Sequence, residues 1–396
     1  MIHVLYITHI TGKNGATKAL ISMMREVKKN GVRVSLVVPE KKGWLYDAVK
    51  SENIQIVEKY SYSWTVMRPS FSWNLLKTII SWIRAIFVFV GAVKVFYSII
   101  KEQRPDIVHT NTSVLSAPVL ASYLLDIPHV WHIREYIDKD FGFRIIPPIP
   151  LLRLMAKIRN TYCVAITKGV FRHFGLCDKK DVVIYDGVID QREELPVDLE
   201  SFNSYKYFLF VGNLMKAKGL DVLLEQFAVF AKSHAEIHLN IAAGYDVQDD
   251  NYKNCREIVV RNNIEKQVHF LGFREDISSL MQGALALIVP SRFEGFGFIT
   301  VEAMLNNCLV IGNNTAGTKE QFDVGRTQTG SEIGLRYDNA TEIPMLMKRV
   351  LEEDYSEMKA NARRVVLQNY TVKKNVECIL GLYNKILKSN GQCNKR

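Results

Sequence analysis

Twice along the chain, short apolar runs rich in β-branched residues alternate with helical patterns, and the alternation restarts near its midpoint. In the first half the runs at 3–8, 33–39, 54–58, 106–111, 129–133, 162–167 and 182–186 read as buried parallel strands. A helix predicted at 16–29 stops at Asn30-Gly31. The restart supplies strands at 207–213, 238–244, 268–273, 284–291 and 309–313. Helices are predicted at 219–232, near 250–262, at 276–283 and from about 297 to 306. Strand–helix alternation of this kind specifies a sheet with helices on both faces. The chain has 396 residues, enough for two such units of about 150–200 residues each. A polar stretch at 190–205 containing Pro196 reads as the linker. The predicted boundaries are 1–190, 191–371 and 372–396, the last holding an amphipathic helix at about 372–388.

Charge separates the halves. Residues 1–190 carry 26 Lys/Arg against 15 Asp/Glu, and residues 191–396 carry 25 against 26. The whole net charge of +10 therefore originates in the first half, which suits an anionic surface on one side only. Residues 71–101 are unusually apolar, yet the longest uncharged stretch, 85–93, is far short of the roughly 20 residues a spanning helix needs. Lys77, Ser81, Arg84, Lys94, Ser98 and Lys101 fall near one side of that helix. It is a buried layer with one basic stripe, the favoured reading, an interfacial anchor, or a partial mix of both. None of the six cysteines lies in a CxxC or Cys/His cluster, which predicts free thiols in a reducing compartment and no structural zinc. The first residues enter a strand pattern without a charged leader or cleavage site, so a cytoplasmic protein is expected.

The stretch 290–302, PSRFEGFGFITVE, carries the clearest chemistry. A strand ends at Pro290-Ser291, a glycine loop follows, and a helix begins. Glycine lets backbone approach a ligand, and a helix N-terminus suits a diphosphate. Glu294 and Glu302 add two carboxylates able to accept hydrogen bonds from sugar hydroxyls. Together they describe a sugar–diphosphate site.

The spacing Glu294-x7-Glu302 resembles the EX7E signature of glycosyltransferase family 4, whose members are retaining enzymes of the GT-B fold. The segments 211–227, 270–281 and 315–320 resemble that family's glycine–lysine motif, base-contacting loop and second glycine turn. Looser likenesses lie near 12–15, 104–112, 130–135, 164–170 and 183–190. The resemblance implies two facing Rossmann-like domains with a central cleft, the first binding acceptor and the second donor. The C-terminal helix would cross back to the first domain. It implies Glu294 at the donor sugar, Glu302 on the ribose, Lys218 on the leaving diphosphate and His132 facing the reacting carbon. The backbone of Gly295, Phe296, Gly297 and Phe298 would touch sugar and phosphate. Asn213, Arg274 and Glu320 would complete the donor site, and Gly12, Gly15 and Ala16 a phosphate and acceptor loop. His109, Asn111, Arg134 and Glu135 are further acceptor-side candidates. No DxD-type motif appears in a suitable context, so neither metal nor cofactor is expected. The expected partners are a nucleotide sugar and a glycan or polyprenyl-diphosphate-linked acceptor, with peripheral contact at the inner membrane face and no nucleic acid.

Three positions depart from the family pattern. Asn213 replaces an arginine of the diphosphate clamp, for which Lys216, Arg292 or Lys319 could compensate. Asn307-Cys308-Leu309 replaces a Gly-x-Pro, and Asp186 replaces a turn asparagine. Other GT-B enzymes, such as a nucleotide-sugar epimerase, and an inactive partner subunit are the competing readings. A nicotinamide enzyme is disfavoured because TGKNGATK lacks GxGxxG.

Overall fold

The computed structural model describes residues 1–57, 66–67, 75–140, 144–189, 205–389 and 391. The predicted linker, apart from Tyr205, and Cys393 lie outside them. The chain divides into two units, Met1–Asp190 with Val372–Arg396, and Gln191–Thr371.

The first unit runs β1 (His3–Ile7), α1 (Gly15–Lys29), β2 (Arg33–Val37), α2 (Trp44–Ser51), β3 (Gln55–Ile56), β4 (Val66–Met67), α3 (Leu75–Gln103), β5 (Ile107–Thr110), α4 (Ala117–Leu124), β6 (His129–Ile133), β7 (Arg144–Ile145), α5 (Ile149–Ala156), β8 (Thr161–Ala165), α6 (Lys168–Phe174) and β9 (Val182–Val183). Seven of these strands form a parallel sheet in the order β3-β2-β1-β5-β6-β8-β9. The short β4 and β7 pair antiparallel outside it.

The second unit runs β10 (Lys206–Val211), α7 (Leu220–Ala231), β11 (Ile237–Ala242), α8 (Asp250–Arg261), β12 (Val268–Gly272), α9 (Ile277–Gly283), β13 (Leu287–Val289), α10 (Phe298–Leu305), β14 (Val310–Asn313), α11 (Ala316–Thr329), β15 (Leu335–Tyr337), α12 (Ile343–Glu352) and α13 (Ser356–Asn369). Its six-stranded parallel sheet has the order β12-β11-β10-β13-β14-β15. A last helix, α14 (Val372–Ser389), joins the first unit.

Each sheet reverses its winding once, between β1 and β5 in the first unit and between β10 and β13 in the second. In such sheets ligands bind beyond the carboxyl ends of the strands, at the point of reversal.

Strand alternation explains the two-sided core of the first unit. Val4 and Tyr6 of β1 join a cluster with α1, α2 and α14, whereas Leu5 and Ile7 join one with α3 and α4. Helix α14 reaches the first cluster through Val372, Val376, Ile379, Tyr383 and Ile386, a stripe at helical spacing.

The favoured burial of the 71–101 helix holds only toward its C-terminal end, and the mixed reading fits the whole. Helix α3 has 29 residues and is about 44 Å long, more than twice the ~17 Å of a five-residue strand. It therefore overruns the sheet. Phe96, Ile99 and Ile100 are buried, but Ile80, Trp82, Ile83, Ile86, Phe87 and Val90 are exposed, Phe87 by 73%. Among the described residues, Ile80–Gln103 is the one helical segment long and apolar enough to cross a membrane by length and composition, with Arg84 and Lys94 inside it.

Candidate functional site

In the second unit the loops after β10 and β13 meet at the winding reversal. After β10 the chain makes a 3-10 turn at Lys216–Lys218, ended by Gly219 at φ 71°. A Cβ on Gly219 would lie 2.3 Å from the Pro290 carbonyl oxygen, so glycine is what lets the two loops close on one another. Arg292 N–H donates to the Ala217 carbonyl (2.9 Å). Lys218 Nζ thereby reaches Glu294 Oε1 at 2.7 Å, across 76 positions of sequence. Ser291 Oγ donates to the same oxygen at 2.6 Å. The Glu294 side chain is 13% exposed and that of Lys218 30%, so the pair is partly withdrawn from water and its charges are incompletely screened.

The glycine loop is braced from behind by the start of α11. Gly317 N–H donates to the Glu294 carbonyl (3.0 Å), and Gln321 Nε2 donates to the carbonyls of Phe296 (2.7 Å) and Gly297 (3.2 Å). A Cβ on Gly317 would sit 2.3 Å from the Phe296 carbonyl oxygen. Gly297 adopts φ 86° and caps α10. The first turn of a helix carries N–H groups that no intrahelical carbonyl takes. Those donors, the Lys218 ammonium and the Glu294 carboxylate are thus gathered at one place. They can hold a negatively charged group beside a hydroxyl-bearing one.

The other donor-side candidates differ in placement. Glu302 is half-buried on α10, eight residues after Glu294, and Glu320 is half-buried on α11, one turn past Gly317. Phe296 is buried, edge-on to Phe298 and Tyr370, so its side chain serves the core. Asn213 is exposed and accepts from Met215 N–H (3.2 Å), tying its own turn. Of the cations that could replace the missing arginine, Arg292 pairs with Asp221 (3.1 Å) and Lys319 with Asp323 (2.6 Å), while Lys216 is exposed. Arg274 is gripped by both oxygens of Asp276, at 2.8 and 2.5 Å.

In the first unit, Gly12, Gly15 and Ala16 flank the start of α1. Asn14 and Thr17 form a reciprocal cap there, and Thr17 Oγ1 also donates to the Gly12 carbonyl (2.7 Å). Beyond the ends of β5 and β6 lies a fully buried polar group. Arg134 donates to Asp186 Oδ2 (2.5 Å) and Asn111 Oδ1 (3.1 Å), and the side chains of Arg134 and Asp186 are each 3% exposed. Glu135 accepts from Ser113 N–H (2.8 Å).

His132, one residue before the end of β6, lies on the same face as His109, because His109 pairs in register with Val130 and strand alternation brings His132 to the side of Val130. In register, Tyr6 of β1 stands beside His109 of β5. His109 Nε2 is 3.2 Å from His132 Nδ1, and His109 Nδ1 is 2.6 Å from the hydroxyl of Tyr383 on α14. Burial pulls the His109 pKa down to about 3, and burial with the nearby Arg134 and His109 holds His132 well below the ordinary range. Both rings are neutral at physiological pH. His132 Nε2 is buried and has no hydrogen-bond partner among the described residues.

Ser291, Gly219, Gly317 and Gln321 were not among the sequence-derived candidates, nor were Tyr6 and Tyr383. Ser291, Gly219 and Gly317 lie within the stretches 290–302, 211–227 and 315–320 and were legible there. The others become visible only once loops and strands are in register. Among the described residues, no group of three or more His, Cys, Asp or Glu is arranged to hold a metal ion. Cys163, Cys177, Cys255, Cys308 and Cys378 are free thiols.

This pair of Rossmann-like units is the GT-B fold. A glycosyltransferase from Rickettsia africae superposes with a TM-score of 0.74 at 19% identity, over 98% of this chain and 99% of that one. HepE from Anabaena, in complex with UDP-glucose, gives 0.72 at 17% identity, over 99% and 100%. Residues 191–365 match the family model for glycosyl transferases group 1, so the second unit is a group 1 glycosyltransferase domain. An uncharacterised glycosyltransferase from Methanocaldococcus jannaschii is 26% identical over 250 residues, 60% of this chain and 64% of that protein. The N-acetyl-alpha-D-glucosaminyl L-malate synthase of Bacillus anthracis is 24% identical over 218 residues, 53% and 55% of the two chains. The matches span less than two thirds of these curated relatives.

Proposed function

We propose that the chain is a retaining glycosyltransferase of the family 4 type, moving a sugar from a nucleotide-diphosphate donor to a glycan or lipid-linked acceptor in capsule, exopolysaccharide or O-antigen assembly. The observation that carries this is the Lys218–Glu294–Ser291 constellation at the mouth of α10. A cation and a helix N-terminus oppose the charge that grows on a leaving diphosphate, and the carboxylate beside them binds the sugar. Glu302 takes the ribose hydroxyls. In the reaction, the bond from the anomeric carbon to the diphosphate oxygen breaks as the bond to the acceptor oxygen forms on the same face. The acceptor's hydroxyl proton passes to the departing phosphate oxygen. The chain supplies positioning and charge stabilisation and needs no metal.

The test is thermal stabilisation by a panel of UDP-, GDP- and ADP-sugars, followed by NMR of the product. One donor is expected to raise the melting temperature and the product to keep the donor's anomeric configuration, in EDTA as in buffer. An inverted product, or activity that EDTA removes and magnesium restores, contradicts the reading.

The acceptor side follows from α3. Its exposed apolar ridge, with Arg84 and Lys94 beside it and a surplus of positive charge in the same half of the chain, suits the surface of an anionic bilayer. Phe87→Glu combined with Ile83→Glu should cut co-sedimentation with phosphatidylglycerol-containing vesicles about tenfold or more while donor stabilisation is unchanged. Equal sedimentation of variant and parent would remove α3 from the membrane role.

A further inference from the structure

Four buried side chains of the first unit form one unbranched run of hydrogen bonds. Tyr6 Oη lies 2.8 Å from Tyr383 Oη, Tyr383 Oη 2.6 Å from His109 Nδ1, and His109 Nε2 3.2 Å from His132 Nδ1. The run starts in the core of the sheet and ends at His132 Nε2, at the carboxyl end of β6. Each member is neutral and carries a single proton to donate.

Three polarities make all three hydrogen bonds. If Tyr6 and His109 both donate to the Tyr383 oxygen, the Tyr383 proton is stranded in the core and His132 Nε2 is an unfilled acceptor, two losses. The other two polarities run head to tail. In one, Tyr6 donates to Tyr383, Tyr383 to His109, and His109 through Nε2–H to His132 Nδ1. Every proton within the run then has an acceptor, and only His132 Nε2–H is left to donate. In the other, His132 Nδ1–H donates to His109, His109 to Tyr383, and Tyr383 to Tyr6. The Tyr6 hydroxyl proton then has no acceptor among the described residues, deep in the core, and His132 Nε2 is an unfilled acceptor as well. The first head-to-tail arrangement strands one group, at the ligand end of the sheet. The second strands two, one of them where no ligand reaches. Leaving a buried donor unpaired is the larger penalty, so the first polarity prevails.

We infer that Tyr383, from the C-terminal helix, is a positioning residue that fixes His132 as its Nε2–H tautomer, so that His132 offers a hydrogen bond to a ligand oxygen and does not act as a base. The inference rests on the transferase reading only for what that oxygen belongs to, a sugar hydroxyl or a diphosphate. It agrees with a reaction whose proton leaves on phosphate, since a ring nitrogen that already holds its proton cannot take another at neutral pH.

The tautomer is read directly, without any substrate, from two-bond proton–nitrogen correlations of the full chain labelled with 15N-histidine. The His132→Gln spectrum assigns the signals. The expected result is protonated Nε2 and unprotonated Nδ1 in His132. Tyr383→Phe removes the donor to His109 and is expected to shift the His132 tautomer ratio by about tenfold toward Nδ1–H. Tyr6→Phe deletes a hydroxyl from the same core but leaves the Tyr383 donation intact, and should leave the ratio unchanged. A protonated His132 Nδ1 in the parent overturns the inference even if Tyr383→Phe does not fold. So does a ratio in Tyr383→Phe equal to the parent's. Failure of the transfer assay would bear on the function and leave these spectra as they are.

Discussion

Glu294→Gln is expected to lower the rate of transfer by about 10²–10³-fold while the melting temperature stays near that of the parent. The amide keeps the shape of the side chain and can still accept from Ser291 Oγ, which lies 2.6 Å from Oε1. It loses the charge that faces Lys218 at 2.7 Å. If that carboxylate serves the reacting sugar, the loss falls on kcat, because its interaction strengthens as positive charge grows at the anomeric carbon. Lys218→Met, by contrast, takes away the cation proposed to face the diphosphate. It should raise the donor KM as well as lower kcat. Rates within threefold of the parent for Glu294→Gln would place the reacting centre elsewhere and leave the ion pair as a brace between two loops.

The second large effect concerns stability. Asp186→Ala leaves the Arg134 guanidinium buried without its carboxylate, and Asn111 Oδ1 alone cannot offset that charge. The expected cost is about 3–5 kcal/mol, which for a unit of this size lowers its melting transition by roughly 10 °C. The double variant Arg134→Met with Asp186→Leu removes both charges and should recover most of the loss, as apolar replacements of buried pairs commonly do. A single variant that melts within about 2 °C of the parent would show that water reaches the pair.

Much of the fold was legible because parallel strands and their helices each announce a period. The strands at 3–8, 129–133, 207–213 and 238–244 appear within a residue or two of where alternation and β-branching put them. The run at 182–186 shrinks to Val182–Val183, an edge strand with one neighbour to pair with. The glycine loop at 294–297 was visible because its glycines answer a local need for close backbone approach. What stayed hidden depends on length and register. Nothing in the periodicity of α3 says that the sheet beneath it is only about 17 Å deep, so its exposed end could not be read. Arg274 looks free in sequence, yet Asp276 folds back on it two residues later. The link from Tyr383 to His109 spans 274 positions and exists only after α14 has docked and β1 and β5 are aligned.

The way α14 completes the first unit has a consequence for biogenesis. The second unit, Gln191–Thr371, is continuous, whereas the first is split around it. During synthesis at about 5–20 residues per second, the strands of the first unit wait roughly 10–40 s for the helix that completes the cover of one of their faces. The unit begun first is therefore finished last. Until α14 emerges, the face of β1, β5 and β6 that carries Tyr6 has only α1 and α2 to cover it, and a nascent chain stalled before residue 372 presents that half-covered face to chaperones and proteases while its second unit can already be folded.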